Sequence, residues 1–428
     1  MHSFHYSQGS LHCEKVSLSD LAAEHGTPLY VYSAATFRDR YQRLDSAFSD
    51  IDHEVAYAVK ANSNLSVLRL LAEQGSGFDI VSGGELFRIL KAGGDPAKCT
   101  FAGVGKTRAE IAYALKEGIY SINVESEEEA AFISKVAVEM DLIAPIAFRV
   151  NPNVDAKTHK YISTGKSENK FGIDFEFIEG AYERASKLPN LQLKGLQMHI
   201  GSQLTSVSPF VEAVEKVAPL AAKLKETHGI EFFSIGGGIG IIYEEALASG
   251  DEAWWTDQPE ETRPLTPEQY SAAIIPTLKE LGLKILLEPG RFIAGNAGVL
   301  LTQCLYEKKG STKTFKIVDS GMHHLIRPAL YEGHHEIVPL AEPSGEMEPV
   351  DVVGPICESG DFFCQNRELP NFMPGETVAL MSAGAYGMVM ATTYNSHPLP
   401  AEILVDGSEA KIARKRQTYD DLIEAEEV

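Results

Sequence analysis

The stretch Glu54-Val-Ala-Tyr-Ala-Val-Lys60-Ala-Asn62 is a short apolar run that ends abruptly in an ammonium and an amide. A run of this kind reads as a strand buried on both faces, the form strands take in parallel sheets. It is the first of eight. Glu54 to Val59 is followed by Phe78 to Val81, Thr100 to Val104, Tyr120 to Val124, Ile143 to Val150, Leu193 to Ile200, Phe232 to Ile235 and Lys284 to Leu287. Helical segments separate the runs, and their boundaries are marked. Thr107 with Glu110 and Ser126 with Glu129 read as capping boxes, and Thr266-Pro267 with Gln269 adds a proline in the first turn. Gly75 and Gly118 stand where helices should stop. Eight βα units predict an α/β fold, an eight-stranded TIM-type (β/α)8 barrel.

From Phe292 onward the pattern changes to β-rich runs between turns, among them Val299 to Tyr306, Thr314 to Val318, Glu376 to Met381 and Ala410 to Ala413. These predict a second, mostly β domain. The expected division is 33–291 for the barrel, with 1–32 and 292–428 forming the β-domain. Gly26-Thr-Pro-Leu-Tyr-Val-Tyr32 precedes the first barrel run and could pair with it. Two connections, Asn151 to Ile173 and Ile241 to Leu265, are longer than a barrel needs and read as candidate lids or decorations.

The bulk properties bound the function. Of 428 residues 44% are hydrophobic and 23% charged, ordinary for a folded globular chain. A net charge of −22 repels phosphate backbones and anionic lipid, so neither nucleic acid nor a membrane is the expected partner; a small molecule is. No apolar run is long enough to span a bilayer, and Met1 to Ser10 lacks the features of a signal peptide, so the expected compartment is the cytoplasm. Five scattered cysteines without CxxC spacing argue against a disulfide framework or structural zinc. His323, His324, His334 and His335 lack ligand-type spacing, and no metal site is expected.

Barrel enzymes work at the carboxyl ends of their strands, and there this chain is unusual. Lys60 follows run one, Asp79 and Ser82-Gly83-Gly84-Glu85 end run two, and His199-Ile-Gly-Ser202-Gln203 ends run six. Gly236-Gly237-Gly238 ends run seven, and Glu288-Pro289-Gly290-Arg291 ends run eight. Lys60 alone reads as a lysine snorkelling to water, and three glycines alone as a turn. Their convergence on one rim favours chemistry. The glycines suit a phosphate cup and not a dinucleotide site, because Ile241 stands where that fingerprint needs glycine. A carboxylate at Glu288 can keep a heteroaromatic nitrogen protonated, Arg291 can pair with an anion, and His199 offers a flat ring or an acid/base group. With an amine at Lys60, the set suits pyridoxal phosphate bound as a Schiff base. In the β-domain Arg327-Pro-Ala-Leu-Tyr331, Cys357-Glu358-Ser-Gly-Asp361 and Gly384-Ala-Tyr386-Gly387 combine charge, a thiol and phenols with tight turns.

These strings, with Ala56 to Asn62, Phe78 to Leu86, Thr158-His-Lys-Tyr-Ile-Ser-Thr-Gly165 and Lys170-Phe-Gly-Ile173, resemble diaminopimelate decarboxylase in order and over nearly the whole chain. The resemblance implies the barrel and β-domain fold, pyridoxal 5'-phosphate as cofactor, and a homodimer with shared active sites. The reaction it implies is decarboxylation of meso-2,6-diaminopimelate to L-lysine and CO2, the last step of lysine biosynthesis. By motif position it makes Lys60 the cofactor lysine, His199 the ring-stacking residue and Glu288 the pyridinium partner. Asp79 joins the cofactor set, and Ser202, Gly237, Gly238, Gly290, Arg291 and Tyr386 surround the phosphate. Arg291, Arg327, Tyr331 and Tyr386 face the substrate. Glu358 and Cys357 reach in from the partner subunit, Cys357 as proton donor. A decarboxylase of ornithine, arginine or a carboxylated polyamine, and a catalytically dead homologue, are the competing readings. One departure is plain: His323-His324 occupies a place where an Asn-Asp-like pair is expected.

Overall fold

The computed structural model describes residues 1–154, 170–259, 264–343 and 345–427. The connection expected at Asn151 to Ile173, including the Thr158 to Gly165 string, lies largely outside the described residues. The chain forms two compact units, one of Arg40–Ile241 and Pro264–Phe292, the other of Met1–Asp39, Ile242–Arg263 and Ile293–Val428. The division read from the sequence differs at both junctions and in the 242–263 excursion.

In the first unit all eight runs are strands: β1 His53–Ala58, β2 Gly77–Ile80, β3 Cys99–Phe101, β4 Ser121–Val124, β5 Ala144–Asn151, β6 Leu191–Met198, β7 Phe232–Ser234 and β8 Lys284–Leu287. Each pairs in parallel with the next, β8 pairs with β1, and the barrel closes. Several strands are shorter than their runs or shifted along them. β3 stops at Phe101, before Gly103 at φ 102° turns the chain, and β5 is displaced by one residue to Ala144–Asn151, leaving Ile143 exposed to solvent. Closure demands small residues at particular points. A Cβ on Gly195 of β6 would lie 2.3 Å from the Phe232 ring of β7, so only glycine lets that ring fill the barrel.

The helices begin where their caps dictate. Thr107 and Glu110 form a reciprocal capping box, as do Thr266 and Gln269 behind Pro267, each satisfying backbone donors the first turn leaves open. At Ser126 the expectation is half met. Its side chain accepts from Glu129 N, but Glu129 turns to Glu125 N (2.7 Å) and also receives Lys106 Nζ (2.8 Å). The second bond thus ties the turns after β3 and β4 together. Gly75 (φ 87°) and Gly118 (φ 74°) end their helices in the left-handed region.

The second unit is built on Gly298–Lys309, a long strand that pairs antiparallel with Leu29–Ser33, Thr314–Val318 and Thr377–Leu380. Leu29–Ser33 also lies parallel to Ala401–Asp406. The N-terminal strand therefore joins this sheet and does not take the pairing with β1 that the sequence left open. The reason is its alternation: Leu29 and Val31 pack with Val299, Leu301, Ile403 and Val405 in one core, while Tyr30 and Tyr32 take the opposite face. The tyrosine hydroxyls bond to His324 O (2.7 Å) and Glu402 Oε1 (2.8 Å). The Ile242–Arg263 excursion belongs here too. Ala246 is buried in that core, its carbonyl is 2.6 Å from His2 Nε2, and Leu247 N donates to Glu336 (2.7 Å). Read from sequence as a barrel connection, it is stitched to the β unit, and its tryptophans pack edge to face on each other.

Candidate active site

The barrel rim brings the sequence-selected residues of this unit together. β1 ends in a single 3-10 turn, Val59–Ala61, that presents Lys60, whose Nζ donates to Asp79 Oδ2 at 3.0 Å. Asp79 sits inside β2, fully buried, and its Oδ1 has no partner among the described residues. Glu85, one turn into the following helix, accepts from Val81 N (2.7 Å); burial pushes its carboxyl up to about 7, with Asp79 adding to the shift and Lys60 opposing it.

Glu288 follows β8 and is only 7% exposed. Its Oε1 accepts from Ser234 Oγ (2.7 Å) and its Oε2 from Gln197 Nε2 (3.0 Å). Burial, then the Asp79 charge, raises its pKa well above the ordinary carboxylate range, against the pull of those two donors and of Lys60. Sequence reasoning missed Ser234 and Gln197. The signal was present only in part: Ser234 is the polar end of the apolar strand Phe-Phe-Ser234, whereas Gln197 shares its strand with Gln192 and Lys194. Arg149 and Glu125, a buried pair 3.2 Å apart, were missed as well.

The triple glycine is forced by close approach. A Cβ on Gly237 would lie 2.2 Å from Glu288 O, and one on Gly238, at φ 116°, 2.5 Å from Gly201 O. Backbone bonds from Glu288 N to Gly236 O (2.8 Å) and from Leu204 N to Gly238 O (2.9 Å) lock the three loops after β6, β7 and β8 together. Gly237 N donates to His199 Nδ1 at 3.3 Å, which assigns the ring hydrogen to Nε2. Burial, reinforced by the Arg149 and Lys60 charges, holds His199 well below its ordinary pKa, so the ring is neutral near pH 7. Arg291 directs Nε and Nη2 onto Ser202 Oγ (3.3 and 3.1 Å), and Gly290 is confined by Ala61 and Ala58, 3.0 and 3.2 Å from where its Cβ would be.

The remaining candidates belong to the β unit. Arg327 opens the short helix Arg327–Tyr331, is buried, and contacts His335 Nε2 at 2.6 Å. Cys357 is exposed, its backbone N donating to Asn395 Oδ1 (3.0 Å), and Glu358 accepts from Tyr394 OH (3.2 Å). Asp361 shapes their loop by accepting from Met322 N (2.6 Å) and Ile356 N (2.7 Å). Tyr386 holds φ 55°, an uncommon conformation for a side-chain-bearing residue, beside Gly384, whose Cβ would collide with Ala294 O at 2.0 Å.

Pyridoxal phosphate fits the rim on its chemistry. An amine stands on a carboxylate, a buried carboxyl of raised pKa suits a ring nitrogen, and a glycine cradle closed to side chains lies beside an arginine. Asp79 Oδ1, Gln197 Oε1 and Arg149 Nη2 are buried polar atoms without partners among the described residues, a pattern that marks a ligand-binding floor.

The comparisons agree with this reading. Residues 34–295 match the family profile described as "Pyridoxal-dependent decarboxylase, pyridoxal binding domain". Fold and profile place the chain among the pyridoxal-phosphate-dependent barrel decarboxylases. A diaminopimelate decarboxylase of Vibrio cholerae is 45% identical, covering 100% of this chain and 99% of its own length. The crystal structure of the Helicobacter pylori diaminopimelate decarboxylase complexed with L-lysine is 41% identical at TM-score 0.88, covering 95% of this chain and 98% of that one. That of the M. jannaschii enzyme in complex with L-lysine is 36% identical at TM-score 0.90, covering 100% and 98%. The chain belongs to the diaminopimelate decarboxylase family. No helix among the described residues is long and apolar enough to cross a membrane.

Proposed function

We propose that this chain decarboxylates meso-2,6-diaminopimelate to L-lysine and CO2 with pyridoxal 5'-phosphate, the last step of lysine biosynthesis, and that the rim residues divide the work as follows. The observation that carries the reading is the rim itself, where Glu288 is buried on Ser234 and Gln197 within electrostatic reach of the Lys60–Asp79 pair. When bound, the cofactor supplies a conjugated ring that accepts the electron pair left by departing carbon dioxide. Lys60 anchors it through its amine, with Asp79 orienting that amine. Glu288 would share a proton with the cofactor's ring nitrogen and keep that ring electron-poor. His199, neutral, would offer its ring face and add no charge that would compete. The amides of Gly237, Gly238 and Gly290, with Ser202, Arg291 and Tyr386, receive the phosphate.

Arg327, Tyr331 and Arg291 bind the substrate's distal end, with Tyr386 beside them. Glu358 receives an ammonium, and the Cys357 thiol returns a proton to the carbon that lost its carboxylate. An arginine at the distal end selects a second carboxylate and repels the ammonium of ornithine. In this reading the barrel unit holds the cofactor and the β unit the substrate. The working form is a cytoplasmic homodimer in which Cys357 and Glu358 complete the neighbouring subunit's site. CO2 release across meso-diaminopimelate, ornithine and arginine tests the proposal, together with borohydride reduction and peptide mapping. Turnover of meso-diaminopimelate alone, with the cofactor fixed to Lys60, is expected. Faster release from ornithine would sink the substrate assignment, and no label on Lys60 the cofactor assignment.

A further inference from the structure

Arg327, on which substrate selection turns, is fixed by side chains from two other parts of the β unit. Its Nη1 lies 2.6 Å from His335 Nε2, and its Cζ sits 4.4 Å above the centre of the Tyr243 ring. His335 is fully buried, and its Nδ1 lies 2.7 Å from Met381 O. These two contacts determine where the ring hydrogen is. A guanidinium can only donate, so Nε2 must accept; a carbonyl can only accept, so Nδ1 must carry the hydrogen. His335 is therefore the neutral Nδ1–H tautomer. A second proton, on Nε2, would set one N–H against another and place two cations side by side. Tyr243 meets the His335 ring edge to face at 5.3 Å, so the three side chains form one packed set. Gly333 closes the set, because a Cβ there would lie 3.2 Å from both Arg327 Nη2 and Arg327 O.

The charged and titratable neighbours come from three segments. Arg367 donates to His335 O at 2.5 Å, His334 and Glu336 flank the ring in sequence, and Glu244 adjoins Tyr243. Glu336 is engaged by Leu247 N, and the Arg367 charge acts on both it and His334.

We propose that His335 and Tyr243 are positioning residues for Arg327: the neutral imidazole takes one guanidinium N–H and the phenol ring supports its face, so that the guanidinium is held in the orientation that meets the substrate's distal carboxylate. A neutral acceptor orients the guanidinium without cancelling its charge, as a carboxylate would. The inference rests on the reading that Arg327 binds that carboxylate, and it gives the start of the Ile242–Arg263 excursion a role in selecting substrate.

Steady-state kinetics of the holoenzyme with meso-diaminopimelate, from pH 5.5 to 9, test it. His335→Leu is expected to raise KM about tenfold or more while kcat changes less than about threefold, the signature of lost binding geometry. His335→Gln, which keeps an acceptor for the guanidinium, is expected to recover most of that loss. Tyr243→Leu is expected to raise KM about fivefold. The cofactor absorption band and thermal midpoint are followed for each variant, since a merely structural role would lower the midpoint without splitting KM from kcat. An unchanged KM in both His335→Leu and Tyr243→Leu overturns the inference. Should His335→Leu fail to fold, an unchanged KM in Tyr243→Leu overturns it equally. Arg327→Gln separates the two levels. If it leaves KM unchanged, the reading of Arg327 itself fails; if it raises KM and the His335 and Tyr243 variants do not, only the positioning role fails.

Discussion

Glu288 shows how one side chain gets its chemistry from its surroundings. Alone, a carboxylate at the end of an apolar strand is a poor thing to bury. Ser234 and Gln197 each give it a hydrogen bond, yet burial still raises its pKa, so the group is tuned to share a proton. Glu288→Gln preserves shape and most hydrogen bonding but removes the shareable charge. The variant is expected to retain the cofactor's absorption band and to lose about 10²-fold or more in kcat; a loss below tenfold would contradict the assignment. Lys60, Glu288, His199 and the glycines were legible as oddities, since each breaks the rule of the strand or turn it ends. Ser234, Gln197 and Arg149 were not singled out, and His335 was weighed only as a metal ligand, because nothing local says which way a polar residue in a strand or loop points.

At the level of the element, the turn carrying His323 and His324 departs from what the family resemblance leads one to expect. The two rings lie 3.6 Å apart between centroids, His397 adds a third at 4.9 Å from His323, and both His323 nitrogens are buried without partners among the described residues. Burial, then His397, pushes His323 down to about 4; burial, then His323, pushes His324 down to about 3. In the unfolded chain each titrates near 6.5. Below that value the unfolded state takes up protons the folded state refuses, so stability is level above about pH 6.5 and falls as pH drops toward 4. His323→Asn should flatten this fall by about 2 kcal/mol between pH 7.5 and 4.5, measured from urea midpoints. Equal slopes in the two proteins would falsify the account. The half-formed capping box at Ser126 belongs to the same scale: the Ser-x-x-Glu pattern is local, but Glu129 answers to Lys106, nineteen positions before Glu125 and brought near only by the barrel.

For the whole molecule the testable matter is whether one site draws on two subunits. Cys357 is exposed in the single chain, as a residue destined for a neighbour would be. Mixing and reassembling inactive Lys60→Ala and Cys357→Ala proteins is then expected to restore about a quarter of wild-type activity, because half the dimers are mixed and each has one intact site. No recovery, with mixed dimers shown to form, would place Cys357 and Lys60 of one site on the same subunit. The sequence by itself determined the eight barrel strands, the change to a β-rich second half, and the rim of unusual residues. Period, caps and misplaced polar groups are local signals, and the chemistry of Lys60 and Glu288 is written in side-chain type. Only the tertiary structure decided which strands Leu29–Ser33 pairs with, that Ile242–Arg263 belongs to the β unit, and that His335 takes the tautomer that fits Arg327. Each of these turns on which buried face or hydrogen-bond partner wins among residues from eight to hundreds of positions apart, and no local pattern ranks such alternatives.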